Sequence, residues 1–235
     1  MFIAFEGPEG SGKSTQIMLL SGWVRERGLS VLTTREPGGT AIGDRVRAIL
    51  LDHAASEMSP QAEVLLFSAA RAQLVSEVIR PHLEAGGVVL CDRFADSTMA
   101  YQGYGHQLPL DKLATITEFA TGGLRPDLVA YLDIDVQAGL RRKQQHAQDD
   151  AGQWNRMEAK ALAFHERVRA GYLAMAAADP ARWLVVDAGQ RVEDVQGHLR
   201  ARVAEMLSLV IGDRFRFWSL LTVWHGPLDI FRALA

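Results

Sequence analysis

A chain of 235 residues, 48% of them hydrophobic, is long enough to bury a sizeable core and fits one globular domain. Its 25 basic and 28 acidic side chains nearly cancel, which argues against a nucleic-acid partner and against a charged disordered tail. The single cysteine, Cys91, excludes an internal disulfide and a cysteine metal cluster, and no apolar run is long enough to cross a membrane, so no membrane partner is expected.

The N-terminus runs straight into strand-like sequence, Phe2 to Glu6, without a charged n-region or cleavage site, so no secretory signal is expected. A glycine-rich turn follows, in which Gly7, four residues, then Gly12-Lys13-Ser14 match the spacing of a P-loop. Glycines there let successive N–H groups point inward at an anion, and the helix that begins at Lys13 adds its positive end. Gly7, Pro8, Glu9, Gly10, Ser11, Gly12, Lys13, Ser14 and Thr15 are therefore read as an ATP cradle. Lys13 is placed for the β- and γ-phosphates and Ser14 for Mg²⁺.

Ile17, Leu20, Trp23 and Val24 recur at helical spacing up to Arg27, with Gly28 as a stop. Ser30 to Thr34 reads as a second strand, and Arg35-Glu36-Pro37-Gly38-Gly39-Thr40 as a loop. Residues 60 to 84 carry one long helical pattern, bent at Pro81 and stopped by Gly86-Gly87. Val88 to Asp92, Leu128 to Ile134 and Trp183 to Asp187 are apolar runs closing on carboxylates, as strands buried on both faces read. Five such strands separated by helices predict an α/β protein: a three-layer P-loop fold whose five-stranded parallel sheet is covered on both faces. Asp92, ending a strand of the same sheet, can face the nucleotide's metal, and Arg93 beside it can neutralise a transferring phosphoryl group. The blander reading of that pair is a strand-end salt bridge.

Together with Phe5 to Thr15, the stretches Thr34 to Thr40, Leu66 to Arg71, Asp92-Arg93-Phe94 and Ser97 to Gly103 closely resemble the bacterial thymidylate kinase family. Arg125 to Leu128, Tyr131 to Asp133 and His165 to Leu173 extend the match over roughly residues 1 to 207. The resemblance implies ATP- and Mg²⁺-dependent phosphorylation of dTMP to dTDP by a homodimeric cytoplasmic enzyme. Catalysis then falls to Lys13, Asp92, Arg93 and one lid arginine, and the metal to Ser14 and Asp92. Phe67 and Arg71 share a helix face, one ring to stack on a base and one fork of donors for its carbonyl. Thr98 and Gln102 are placed near the base, Tyr101 against the sugar's 2′ position, and Glu9 near the sugar and phosphate. Arg35 and Arg93 are the clamps on the dTMP phosphate. Because the acceptor oxygen is already ionised, positioning and charge neutralisation carry the rate.

Residues 141 to 158 occupy the lid position, where the sequence departs from the family pattern: the middle is poor in arginine, and Asn155 stands where an aspartate is common. Arg156 is the first choice for the lid arginine and Arg142 the second, against the alternative that both are solvated helix charges. His146 and His165 are read as surface or helix residues rather than metal ligands, because no second histidine or cysteine lies at ligand spacing. Val186 to Gln190 resembles the family's adenine-side loop, with Gln190 on ATP, and residues 192 to 211 form a closing helix. Residues 212 to 235 match nothing in the family yet carry five of the chain's eighteen aromatic residues, including Phe215, Phe217, Trp218, Trp224 and Phe231, and are expected to pack on the body. The alternatives are another P-loop nucleoside or nucleoside-monophosphate kinase, or a non-catalytic nucleotide-binding switch; the guanine signature Asn-Lys-x-Asp of GTPase switches is absent.

Overall fold

The N-terminal apolar run forms β1 (Phe2–Glu6), and every one of its side chains is buried in the computed structural model, which describes residues 1–149, 157 and 160–222. α1 (Lys13–Arg25) starts from Gly12 in the left-handed region, and β2 (Val31–Arg35) lies one residue later than expected. α2 (Ala41–Leu51) has no counterpart in the sequence reading, because Ile42 and Ile49 face outward and blur its apolar period. A local signal for it exists nonetheless: the Thr40 hydroxyl accepts from the Gly43 N–H, a helix cap.

The long pattern over residues 60 to 84 is not one bent helix. α3 (Pro60–Leu74) is capped by Ser59, widens into a π turn at Val75–Ile79 and tightens again as α4 (Arg80–Glu84). Pro81 has no N–H and its ring crowds the carbonyl four residues back. The π turn, in which the Arg80 N–H reaches the Val75 carbonyl, absorbs both defects. β3 (Val88–Asp92) leads into α5 (Ala95–Thr98), which runs on as a second π segment, Met99–Gly105. α6 (Leu110–Thr121), also absent from the sequence reading, exposes Phe119 almost fully. Then come β4 (Leu128–Asp133), α7 (Val136–Asp149), α8 (Leu162–Ala178), β5 (Trp183–Asp187) and α9 (Val192–Thr222). α9 continues past the expected end at 211, so the boundary drawn at 212 falls within a helix; Trp224 and Phe231 lie outside the described residues.

All five strands are parallel, in the order β2-β3-β1-β4-β5. Alternation along β1 divides the core between two faces: Ile3 and Phe5 pack with Leu20, Val24, Leu199 and Val203 of α1 and α9, while Phe2 and Ala4 pack with Leu74, Ile79 and Phe94. A third cluster, built on Tyr131, Tyr172 and Trp183, fixes α8 beneath β4 and β5. Because Phe5 pairs with Asp92 in the sheet register, the turn after β1 and the carboxylate ending β3 emerge side by side. Ligands bind at this carboxyl edge of open α/β sheets.

Candidate active site

The turn after β1 is shaped by its glycines. Gly10 sits at φ 72°, and a Cβ there would stand 2.1 Å from the Gly139 carbonyl oxygen, so the loop lies flush against the first turns of α7. Lys13 Nζ donates to the Gly7 and Pro8 carbonyls, 3.2 Å each, folded over the loop it belongs to. Burial, with Arg93 nearby, lowers its pKa and so weakens its hold on the proton. Ser14 Oγ donates to Asp92 Oδ2 at 3.1 Å, bringing together two oxygen donors of the kind a divalent cation shares with phosphate and water. Among the described residues no set of three or more His, Cys, Asp or Glu side chains forms a metal cage.

Arg93 is held from several sides. It adopts φ 70°, a region costly for any residue with a Cβ, while its N–H bonds to the Phe5 carbonyl at 2.9 Å. Its guanidinium pairs with Glu9 at 2.5 Å, donates to the Tyr172 hydroxyl at 3.3 Å and lies over the Tyr101 ring. Burial pushes the Glu9 carboxyl up, but Arg93, Lys13 and Lys143 outweigh it and hold it at about 2. Beneath Arg93, at 4.0 Å, Glu6 is wholly buried. Its oxygens accept from the Phe94 N–H (2.9 Å), Ser97 Oγ (2.6 Å) and the Tyr172 hydroxyl (2.7 Å). Burial raises its pKa to about 7, only partly countered by Arg93.

These groups open on a cleft of about 550 Å³, the size of a small-ligand site. It is lined also by Phe67, Arg71, Thr98, Tyr101 and Gln102, the residues that the sequence assigns to the base and sugar. Arg71 is buried and largely committed to the protein: Nε and Nη2 grip the Glu36 carboxylate, Nη1 donates to Thr98 Oγ1 and Nη2 to the Phe94 carbonyl. Of five N–H donors, one on Nη1 remains over, on a side chain that lines the cleft. A rigid single donor beside the Phe67 ring suits a planar base with a carbonyl on its edge.

The thymidylate kinase family model matches residues 5–199. The chain belongs to the thymidylate kinase family. It is 55% identical over 217 residues to the thymidylate kinase of Roseiflexus sp. (strain RS-1), covering 89% of this chain and 96% of that one. It is 49% identical over 205 residues to that of Deinococcus radiodurans, with 87% and 97% covered. Its fold is similar to the crystal structure of thymidylate kinase from Ehrlichia chaffeensis, with a TM-score of 0.67 at 32% identity, covering 88% of this chain and 98% of that one.

In this thymidylate kinase family member, the expected site residues divide by place. Glu9, Gly10, Gly12, Lys13, Ser14, Thr15, Arg35, Asp92 and Arg93 line the cleft with the base-end residues, while Gly7, Pro8 and Ser11 complete the loop behind them. Arg35 is largely exposed, 4.0 Å from Asp44. Arg142 does not line the cleft: its Nη1 donates to the Ala188 carbonyl at 2.9 Å, beside the loop carrying Gln190, which is exposed and likewise off the cleft wall. Arg156 lies outside the described residues, as does most of 150 to 159 in the expected lid. Thr98, Tyr101 and Gln102 do not follow plain α-helical spacing, because Met99–Gly105 is the π segment.

Three charged cleft residues were given no role from the sequence. Arg47 of α2 donates to the Pro37 carbonyl at 3.0 Å, and burial together with Arg35 lowers its pKa. Lys143 reaches the cleft from α7, one position beyond Arg142, the second choice for the lid arginine. Glu36 receives Arg71 from a helix 35 positions on. Glu6, behind the cleft wall, has no role in the sequence beyond closing the first strand.

Proposed function

We propose that this chain catalyses phosphoryl transfer from ATP to dTMP, giving dTDP. One observation carries the proposal: a phosphate-type loop with Lys13 and the Ser14–Asp92 pair opens into the same cleft as a base-sized end built on Phe67 and Arg71, with Arg93 between them. ATP phosphates on the loop and a monophosphate whose base lies against Phe67 meet at Arg93. Ser14 and Asp92 would hold Mg²⁺, which neutralises charge on the phosphates.

The chain's own groups do the remainder. Arg93, fixed by Glu9 and Tyr172, presents a permanent cation where the γ-phosphoryl transfers, so little reorganisation is needed at that moment. Lys13 leaves its loop carbonyls for the β- and γ-oxygens, and Arg35 and Arg47 draw the acceptor phosphate in. An acceptor that is already an oxyanion needs no base, which agrees with the Glu9 carboxyl being held near 2 by Arg93 rather than poised to take a proton. Tyr101 closes the sugar side of the cleft, supporting a preference for deoxyribose.

The kinase domain is taken to span residues 1–211, its last helix running on into a C-terminal segment from 212 to 235, with a lid from about 141 to 158 completed by Arg156. α2, α3 and α6, which pack in succession on one side, expose Ile42, Ile49, Leu65 and Phe119; we assign that side to a second copy, forming a homodimer in the cytoplasm. The test is ADP release with ATP and Mg²⁺ across dTMP, dUMP, UMP, dCMP, dGMP and thymidine. A strong preference for dTMP is expected; no acceptor-dependent release would refute the proposal.

A further inference from the structure

At the base end of the cleft, Gln102 is buried in the π segment and its amide could face the ligand by either end. One contact decides which. Gln102 Nε2 donates at 2.8 Å to Oε1 of Glu63, a buried carboxylate in the first turn of α3 that does not itself line the cleft. His106 Nε2, four residues after Gln102, lies 3.3 Å from the same oxygen. A carboxylate is an acceptor only, so turning the amide over would press two oxygens together where a hydrogen bond now stands. The end of Gln102 left for the ligand is therefore its carbonyl oxygen.

We infer that Glu63 is a specificity-determining positioning residue, which locks Gln102 with an acceptor toward the cleft so that the site takes a pyrimidine bearing an N3–H and refuses one whose N3 is bare. The inference rests on the proposed binding of a dTMP base at this end. Thymine and uracil carry the N3–H and a carbonyl at position 4, matching the Gln102 oxygen and the remaining Arg71 N–H. Cytosine reverses both, setting acceptor against acceptor and donor against donor.

The test is Glu63→Gln, which keeps size and shape but offers either end of an amide, freeing Gln102 to turn. Its kcat/KM ratio for dTMP over dCMP is expected to fall about tenfold, while the ratio for dTMP over dUMP, which share the N3 edge, stays within about twofold. Combining Glu63→Gln with Gln102→Glu restores an acceptor-only group facing the cleft and is expected to restore the dTMP-over-dCMP ratio. An unchanged dTMP-over-dCMP ratio in Glu63→Gln, or an exchanged pair that fails to restore it, overturns the inference while a selective wild type leaves the proposed function standing. A wild type indifferent between dTMP and dCMP overturns both.

Discussion

Replacing Glu6 by Gln isolates the energetic consequence of burying a carboxylate under Arg93. In the folded chain the Glu6 carboxyl is pushed up to about 7 by burial, against 4.5 when exposed. Below pH 4.5 both states hold the proton and the group is neutral to stability. Between 4.5 and 7 the unfolded chain releases it first, so stability drains away as pH rises, and above about 7 the loss is complete. At about 1.4 kcal/mol for each tenfold change, that rise is worth about 3 kcal/mol. In a chain of 235 residues it corresponds to roughly 6 to 12 °C in Tm. The variant lacks this titration, and the remaining groups titrate in both proteins. The assay is thermal or urea unfolding of both proteins at intervals from pH 4 to 8. The stability of wild type minus variant is expected to fall by about 3 kcal/mol across pH 4.5 to 7. Two parallel curves would refute the reasoning.

Further outcomes follow from the site geometry. Arg93→Ala should lower kcat by about 10²- to 10³-fold while ATP binding, read by calorimetry, changes little; normal turnover would remove Arg93 from its role. Asp92→Asn should raise the Mg²⁺ concentration needed for half-maximal rate by about tenfold or more, and an unaltered Mg²⁺ titration would separate Asp92 from the metal. A Cβ at Gly139 would stand 2.4 Å from the Glu9 carbonyl oxygen, so Gly139→Ala should cost about 1 to 3 kcal/mol and weaken ATP binding together; a stable variant with intact ATP affinity would show that α7 does not brace the loop.

The sheet was legible because its strands announce themselves: apolar runs ending in Glu6, Asp92, Asp133 and Asp187 lie within a residue or so of the expected positions. The phosphate end was equally plain, since a loop that cradles anions needs its glycines and lysine consecutive in sequence. Helices α2 and α6 were not, because Ile42, Ile49 and Phe119 point outward and spoil the one-sided period that marks a buried helix. The π segments were illegible for a related reason. Pro81 signals a defect, but whether the chain bends or widens is settled by what packs around it. The commitment of Arg71 to Glu36, and of Gln102 to Glu63, joins elements 35 and 39 positions apart, which no local pattern records. Sequence therefore named the side chains of the base end without showing which of their atoms remain for a ligand.

The central claim is transfer to dTMP, and ³¹P NMR of one mixture tests it directly. With ATP, Mg²⁺, dTMP and the enzyme, resonances of dTDP and ADP should grow in equal amounts while inorganic phosphate stays flat. ADP accompanied by inorganic phosphate and no dTDP, or an unchanged spectrum, would contradict the account.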